Sequence, residues 1–313
     1  MDASVVAERI AELLARPSTT EQAGSLLQEF VRQPDVYDVL ELGFDQGVST
    51  AYLAAALEGK PRGMVTTIDR PASLEKRPNI ETVLGHVGVR DQVQPVVETS
   101  YNWALMHLLA RQLTNAEPGR REIRACFDFC FIDGAHSWEV DALAFSLVDR
   151  LLRPNRWLVF DDLDWTFASS RSLRNSGAVA AMTDEQRSTP QIRKVVELLV
   201  STKPDYVLHY VGRYALAYKR GADSSREADL DNVVQSNEAL IRELTMGHLH
   251  PAQTGRAEST LIRPLLRPII RRLRRFTYRS AWSTCSRPRR TTRRCTSRCS
   301  SSRLAENKPR HWD

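Results

Sequence analysis

Seven acidic or hydroxyl-bearing residues stand at the ends of apolar runs: Glu41, Asp69, Thr99, Ser100, Asp133, Asp161 and Asp162. In a parallel sheet all of these runs would end at one edge, so their oxygens would converge there. Such groups accept hydrogen bonds and ligate hard cations. Each alone has an ordinary reading, because Asp and Ser are common at strand ends and helix caps. Their coincidence at one edge favours a shared site. Gly43 and Gly47 follow Glu41, four residues apart, with Ser49 opening the next helix. Glycines there allow positive φ and close approach to a ligand, and the helix aims its free N–H groups at the same spot. His136 follows Asp133 by three residues; it is a general base for a hydroxyl, a residue of a helix N-terminus, or a partner that orients a neighbouring site residue.

The elements that must position these groups follow from periodicity. Residues 2–33 show helical spacing at Val5, Ile10, Leu13, Leu14, Leu26, Leu27, Phe30 and Val31, with Thr19 or Thr20 as an N-cap. Strands are expected at 36–42, 63–69, 92–97, 126–133 and 157–160, alternating with helices at 47–58, 78–87, 101–113 and 138–152. The stripe Leu143, Leu147, Leu151 and Leu152 is the expected inward face of the last of these helices. Residues 115–124 are polar and are expected to loop out. Two further strands, 206–211 and 213–218, leave only Gly212 between them and should pair as an antiparallel hairpin. The fold class is α/β: a doubly wound, mostly parallel seven-stranded sheet with an antiparallel last strand.

The formal charge of +6 conceals two regions. Residues 264–313 hold 15 Lys and Arg against 2 Asp and Glu, which leaves 29 against 36 in residues 1–263. The mildly acidic body disfavours nucleic acid as its partner. Cys126 and Cys130 read as buried thiols, without a disulfide framework or zinc pattern. Glu8, Arg9 and Glu12 break up any signal-like run, and no apolar stretch suits a membrane span. A cytoplasmic setting is expected.

The motif Glu41-Leu42-Gly43-Phe44-Asp45-Gln46-Gly47-Val48-Ser49 resembles the first motif of class I methyltransferases that use S-adenosylmethionine, and the resemblance covers residues 36–219. Phe131-Ile132-Asp133-Gly134-Ala135-His136-Ser137-Trp138-Glu139 resembles a segment of the small-molecule O-methyltransferase branch near the macrocin-type and cephalosporin-hydroxylase-like proteins. The resemblance implies the Rossmann-like methyltransferase fold. It implies a cofactor site of Glu41, Gly43, Gly47, Ser49, Asp69, Thr99, Ser100 and Asp133, with Asp69 on the ribose hydroxyls and Thr99-Ser100 by the adenine. It also implies Mg²⁺ held by Asp133, Asp161 and Asp162, and a small-molecule hydroxyl as methyl acceptor. Two features depart from the family: Pro154-Asn155-Arg156 replaces a Pro-Gly-Gly turn, and no lysine stands near the paired acids. His136, with Asp133, or the metal alone must then assist deprotonation. Trp138 and Trp165 either wall the acceptor site or pack.

The domains expected are a helical cap at 1–35, the cofactor-binding domain at 36–220, a linker and helix at 221–260, and a basic tail at 261–313. Leu230, Val233, Asn237, Leu240 and Leu244 form a short heptad run suited to a homodimer or to docking on the chain's own domain. The tail beyond 280 has the composition of a disordered segment, or of an out-of-frame reading of GC-rich DNA. Rival readings are an RNA methyltransferase with a basic arm, and a scaffold on the same fold. An NAD-type dehydrogenase is disfavoured by the glycine spacing.

Overall fold

The computed structural model describes residues 1–117, 119–170 and 173–221. These lie in the compact unit Met1–Pro251; a second unit comprises Ala252–Asp313. The heptad run and the basic tail fall outside the described residues.

Helices α1 (Ala3–Leu13) and α2 (Glu21–Arg32) precede the first strand. Thr20 caps α2 by accepting the Ala23 N–H at 3.3 Å, a contact typically worth about 1 kcal/mol. Val6 and Ile10 carry the inward face of α1, whereas Val5 is exposed. Then come β1 (Asp38–Leu42), α3 (Val48–Ala56), β2 (Met64–Asp69), α4 (Ile80–Val87), β3 (Val93–Val97) and α5 (Tyr101–Gln112). The second half comprises β4 (Leu113–Glu117), β5 (Arg120–Ile123), β6 (Phe127–Ile132), α6 (Trp138–Leu151) and β7 (Leu152–Phe160). Short helices α7 (Gly177–Ala180), α8 (Asp184–Ser188) and α9 (Gln191–Val195) lead to β8 (Tyr206–Val211) and β9 (Tyr214–Lys219).

Seven strands form one sheet in the order β3-β2-β1-β6-β7-β9-β8, and β9 alone runs antiparallel to its neighbours. Successive strand residues bury on opposite faces. Val39, Phe129, Phe131 and Val159 join the core under α1–α4, while Leu40, Cys130, Ile132 and Leu158 join the core under α5, α6 and α9. Both faces are covered, so the strands read as continuous apolar runs. The chain leaves β1 in one direction and returns at β6 on its other side. The carboxyl ends of these two strands therefore define the crevice of the sheet.

Three local expectations are corrected. Residues 115–124 do not loop out; β4 and β5 pair as an antiparallel ribbon. Both its faces are largely exposed, so no apolar alternation marks it in the sequence. The inward face of α6 is Ala144, Phe145, Val148 and Leu151, while Leu143 is 49% exposed. A strict four-residue row drifts round a helix of 3.6 residues per turn, which carries Leu143 off the buried face. The final hairpin turns through two residues, Gly212 and Arg213, with Val211 paired to Tyr214. Gly212 has φ 55°, and a two-residue turn is the shortest that matches strand twist. Arg213 is thereby placed in a turn at the crevice end of the sheet.

Candidate active site

Gly43 continues β1 into the crevice, its N–H donating to the Ile68 carbonyl at 2.8 Å. Its φ is 92°, and a Cβ there would lie 1.8 Å from the Asp133 carbonyl oxygen. At Gly47, with φ 89°, a Cβ would meet Ile80. Both glycines therefore admit protein neighbours, and only Gly43 faces the cleft. The turn between them carries Asp45 with φ 50°. The Asp45 N–H donates to Asp69 Oδ2 at 2.8 Å, and its carboxylate pairs with Lys76.

Asp69 ends β2 and is almost buried. Its Oδ1 accepts the Arg70 N–H at 2.7 Å and the Tyr101 hydroxyl at 3.0 Å. Burial and this carboxylate push the Tyr101 phenol well above its ordinary range. Asp69 thus ties together the ends of β1, β2 and α5 while still lining the cleft.

Across the cleft, the Asp133 N–H donates to the Leu42 carbonyl at 2.9 Å, extending the β1–β6 ladder by one residue. His136 Nε2 lies 3.3 Å from Asp133 Oδ1 and 3.0 Å from Asp162 Oδ2. Burial pulls the imidazole down, but hydrogen bonds and charge from Asp133 and Asp162 dominate and push it up to about 10. Burial would raise the Asp162 carboxyl, yet His136 and Arg213 hold it below its ordinary value. The His136 ring packs against Trp165, centroids 4.8 Å apart, and Trp165 meets Phe167 edge-on. Asp141, fully buried at the start of α6, accepts the Ser137 N–H at 2.8 Å and braces the loop that carries His136.

Four non-glycine residues take positive φ among the described residues: Asp45, His136, Asn155 and Asp162. Three of them line this cleft, and backbone strain of this kind concentrates where function requires it. Asn155, with φ 60°, lies within β7, where the register of the β6–β7 pairing shifts, in place of the expected turn.

The cleft encloses about 360 Å³ and is lined by Gly43, Ser49, Asp69, Asp133, His136 and Asp162 from the expected set. Five expected residues do not line it; Gly47, packed on Ile80, is one of them. Thr99 is exposed, and Ser100 caps α5 by accepting the Trp103 N–H at 3.1 Å. Asp161 is 3% exposed and gives both carboxylate oxygens to Arg213. Among the described residues, Asp133, His136 and Asp162 form a group whose ligand atoms lie close enough together to face one ion. Glu41, fully buried beneath α3, accepts the Thr50 and Thr67 hydroxyls at 2.5 and 2.6 Å. Asp45, Arg70, Lys76, Tyr101 and Arg213 also line the cleft without having been expected. Only Arg213 had a legible signal, the two-residue minimum of a tight hairpin.

Glu41 yields a pH prediction. Burial raises its carboxyl from 4.5 to about 7, against the hydroxyls of Ser49, Thr50 and Thr67. Below pH 4.5 both folded and unfolded chains are protonated there, and the site costs nothing. Between 4.5 and about 7 the unfolded chain releases its proton first, so stability falls as pH rises, and the loss is complete above about 7. At about 1.4 kcal/mol per unit the loss is roughly 3 kcal/mol. The melting temperature should fall across this window by roughly 6–12 °C more in the parent than in Glu41→Gln. Parallel pH profiles for the two proteins would contradict this.

Residues 40–163 match the family model described as a methyltransferase domain. Among solved structures, a putative O-methyltransferase from Klebsiella pneumoniae is 20% identical, with 70% of this chain and 90% of that chain covered and a TM-score of 0.48. The O-methyltransferase TomG from Streptomyces achromogenes, involved in tomaymycin synthesis and solved with SAM, is 23% identical, with 70% and 89% covered and a TM-score of 0.47. An O-methyltransferase from Bacillus cereus, solved with SAH, is 19% identical, with 69% and 91% covered and a TM-score of 0.48. No curated protein matches the chain. Among the described residues no helix is long and apolar enough to cross a membrane.

Proposed function

We propose that this chain, whose residues 40–163 match the model of a methyltransferase domain, transfers a methyl group from S-adenosylmethionine to a hydroxyl of a small molecule with the help of a divalent cation. The observation that carries the reading is one cleft joining two unlike ends. The turn after β1 and Asp69 stand at one end, and Asp133, His136 and Asp162 at the other.

The residues present fit both groups. At the cofactor end Asp69 Oδ2 has a single donor, the Asp45 N–H, so its second lone pair can accept from a ribose hydroxyl. Ser49 and the first turn of α3 offer donors to a carboxylate. At the other end two carboxylate oxygens and an imidazole nitrogen form a donor set for a dication. When bound, a dication lowers the pKa of an acceptor hydroxyl, which supplies the nucleophile at neutral pH.

The chain's own residues contribute alignment. Gly43 stacks its backbone against Asp133, which brings the cofactor and acceptor ends into register for an in-line displacement. His136 was a candidate base from its position in the sequence. Its Nε2 is committed to Asp133 and Asp162, so a ligand role fits better than proton abstraction. Trp165 covers the imidazole and limits water at that end.

The test is transfer of labelled methyl from S-adenosylmethionine to a panel of hydroxylated sugars, phenols and polyketides, and to RNA. Transfer to a small molecule, abolished by chelator and by Asp133→Ala, is the expected result. Transfer to RNA alone, or to small molecules with full resistance to chelator, would contradict the reading.

A further inference from the structure

We infer that His136, not Asp161, supplies the third protein ligand of the ion site, and that the site therefore favours a first-row transition dication such as Mn²⁺, Co²⁺ or Zn²⁺ over Mg²⁺. This rests on the metal-assisted reading above and goes beyond it in naming the ligand set and the class of ion.

The argument begins with Asp161. The guanidinium of Arg213 takes both of its oxygens, through Nε and Nη2. The Asp162 N–H also donates to Asp161 Oδ1 at 2.6 Å. A carboxylate with three donors and 3% exposure that does not line the cleft is already committed within the protein, and freeing it would strand Arg213. Arg213 comes from the β8–β9 turn, so the closing hairpin itself removes Asp161 from the ligand set.

His136 occupies the vacated role. One ring nitrogen, Nε2, lies 3.0 and 3.3 Å from the two remaining carboxylates. Neighbouring ligand atoms round an ion with bonds of about 2.0–2.2 Å stand at this kind of separation. The ring cannot swing away freely. It is packed on Trp165, and its loop is held by Asp141 through the Ser137 N–H.

The chemistry of the set then selects the ion. Mg²⁺ is bound through carboxylates and retained water, whereas imidazole is the ligand of choice for the later first-row dications. A fixed imidazole in place of a third carboxylate removes one negative oxygen, which weakens Mg²⁺. It adds a nitrogen donor, which strengthens Co²⁺ and Zn²⁺.

The experiment uses the full chain without acceptor. Co²⁺ is titrated and followed by its visible absorption, then displaced with Mg²⁺, to give the ratio of the two affinities. In His136→Asp, an all-oxygen site, the ratio should narrow by at least about tenfold, the scale on which changing groups around a metal moves its affinity. His136→Gln should narrow it likewise, and Asp161→Asn should leave it unchanged. Circular dichroism establishes that each variant is folded. An unchanged ratio in both His136 variants, or a collapse in Asp161→Asn, would overturn the inference. S-adenosylhomocysteine binding is measured on the same samples. A chain that binds it and Mg²⁺ but takes up no Co²⁺ overturns this inference alone, one that binds it but neither ion loses the metal-assisted reading too, and one that binds none of them loses the enzyme reading as well.

Discussion

Replacing Gly43 with alanine should unfold the chain or cost more than about 4 kcal/mol, a loss reserved for buried clashes and strained backbone. The added Cβ would lie 1.8 Å from the Asp133 carbonyl oxygen and 2.8 Å from its carbon. Neither atom can yield, because both belong to the strand end whose N–H is bonded to Leu42. Moving Gly43 the other way breaks its own bond to Ile68. The backbone angle adds to this, since φ 92° disfavours any residue with a Cβ. Gly59→Ala is the control: it has positive φ but no atom within 4 Å of the added carbon. It should cost only about 1 kcal/mol. Denaturant midpoints for the two variants measure the difference, and similar midpoints would contradict the account of this contact.

The second large effect concerns Arg213. Arg213→Leu leaves the buried Asp161 carboxylate without its counter-ion, and breaking a buried pair from one side typically costs 3–5 kcal/mol. Arg213 is half exposed, so water can reach part of the site and about 3 kcal/mol is expected. Adding Asp161→Asn removes the stranded charge and should recover most of the loss. Urea unfolding of the single and double variants decides the point. A single variant as stable as the parent, or a double variant no better than the single, would show that the pair does not hold the hairpin to β7.

The parts of the fold legible in the sequence were those governed by burial on a period of two. Runs such as residues 129–132 are apolar throughout because each face meets a different core, and this pattern alone implied a covered parallel sheet. The order of strand-end acids likewise implied that Asp69 and Asp133 would share an edge, and they do. Side-chain direction was not legible. Glu41 and Asp69 both lie near strand ends, but one residue separates Glu41 from the end of β1, which turns it beneath α3. Asp161 and Asp162 are neighbours with opposite fates, because the turn after β7 aims one at Arg213 and the other at His136. The ribbon β4–β5 was hidden for a different reason: a solvent-exposed ladder needs no apolar residue. Arg213 depended on a one-residue difference in the length of a turn, small in sequence and decisive at the cleft.

The central claim is that the turn after β1 and Asp69 form a site for S-adenosylmethionine. Calorimetric titration of the full chain with S-adenosylmethionine, repeated on Asp69→Ala, tests it most directly. The account predicts one molecule bound per chain and a large loss of affinity in the variant. A folded parent chain that gives no binding heat at any temperature tried would contradict it.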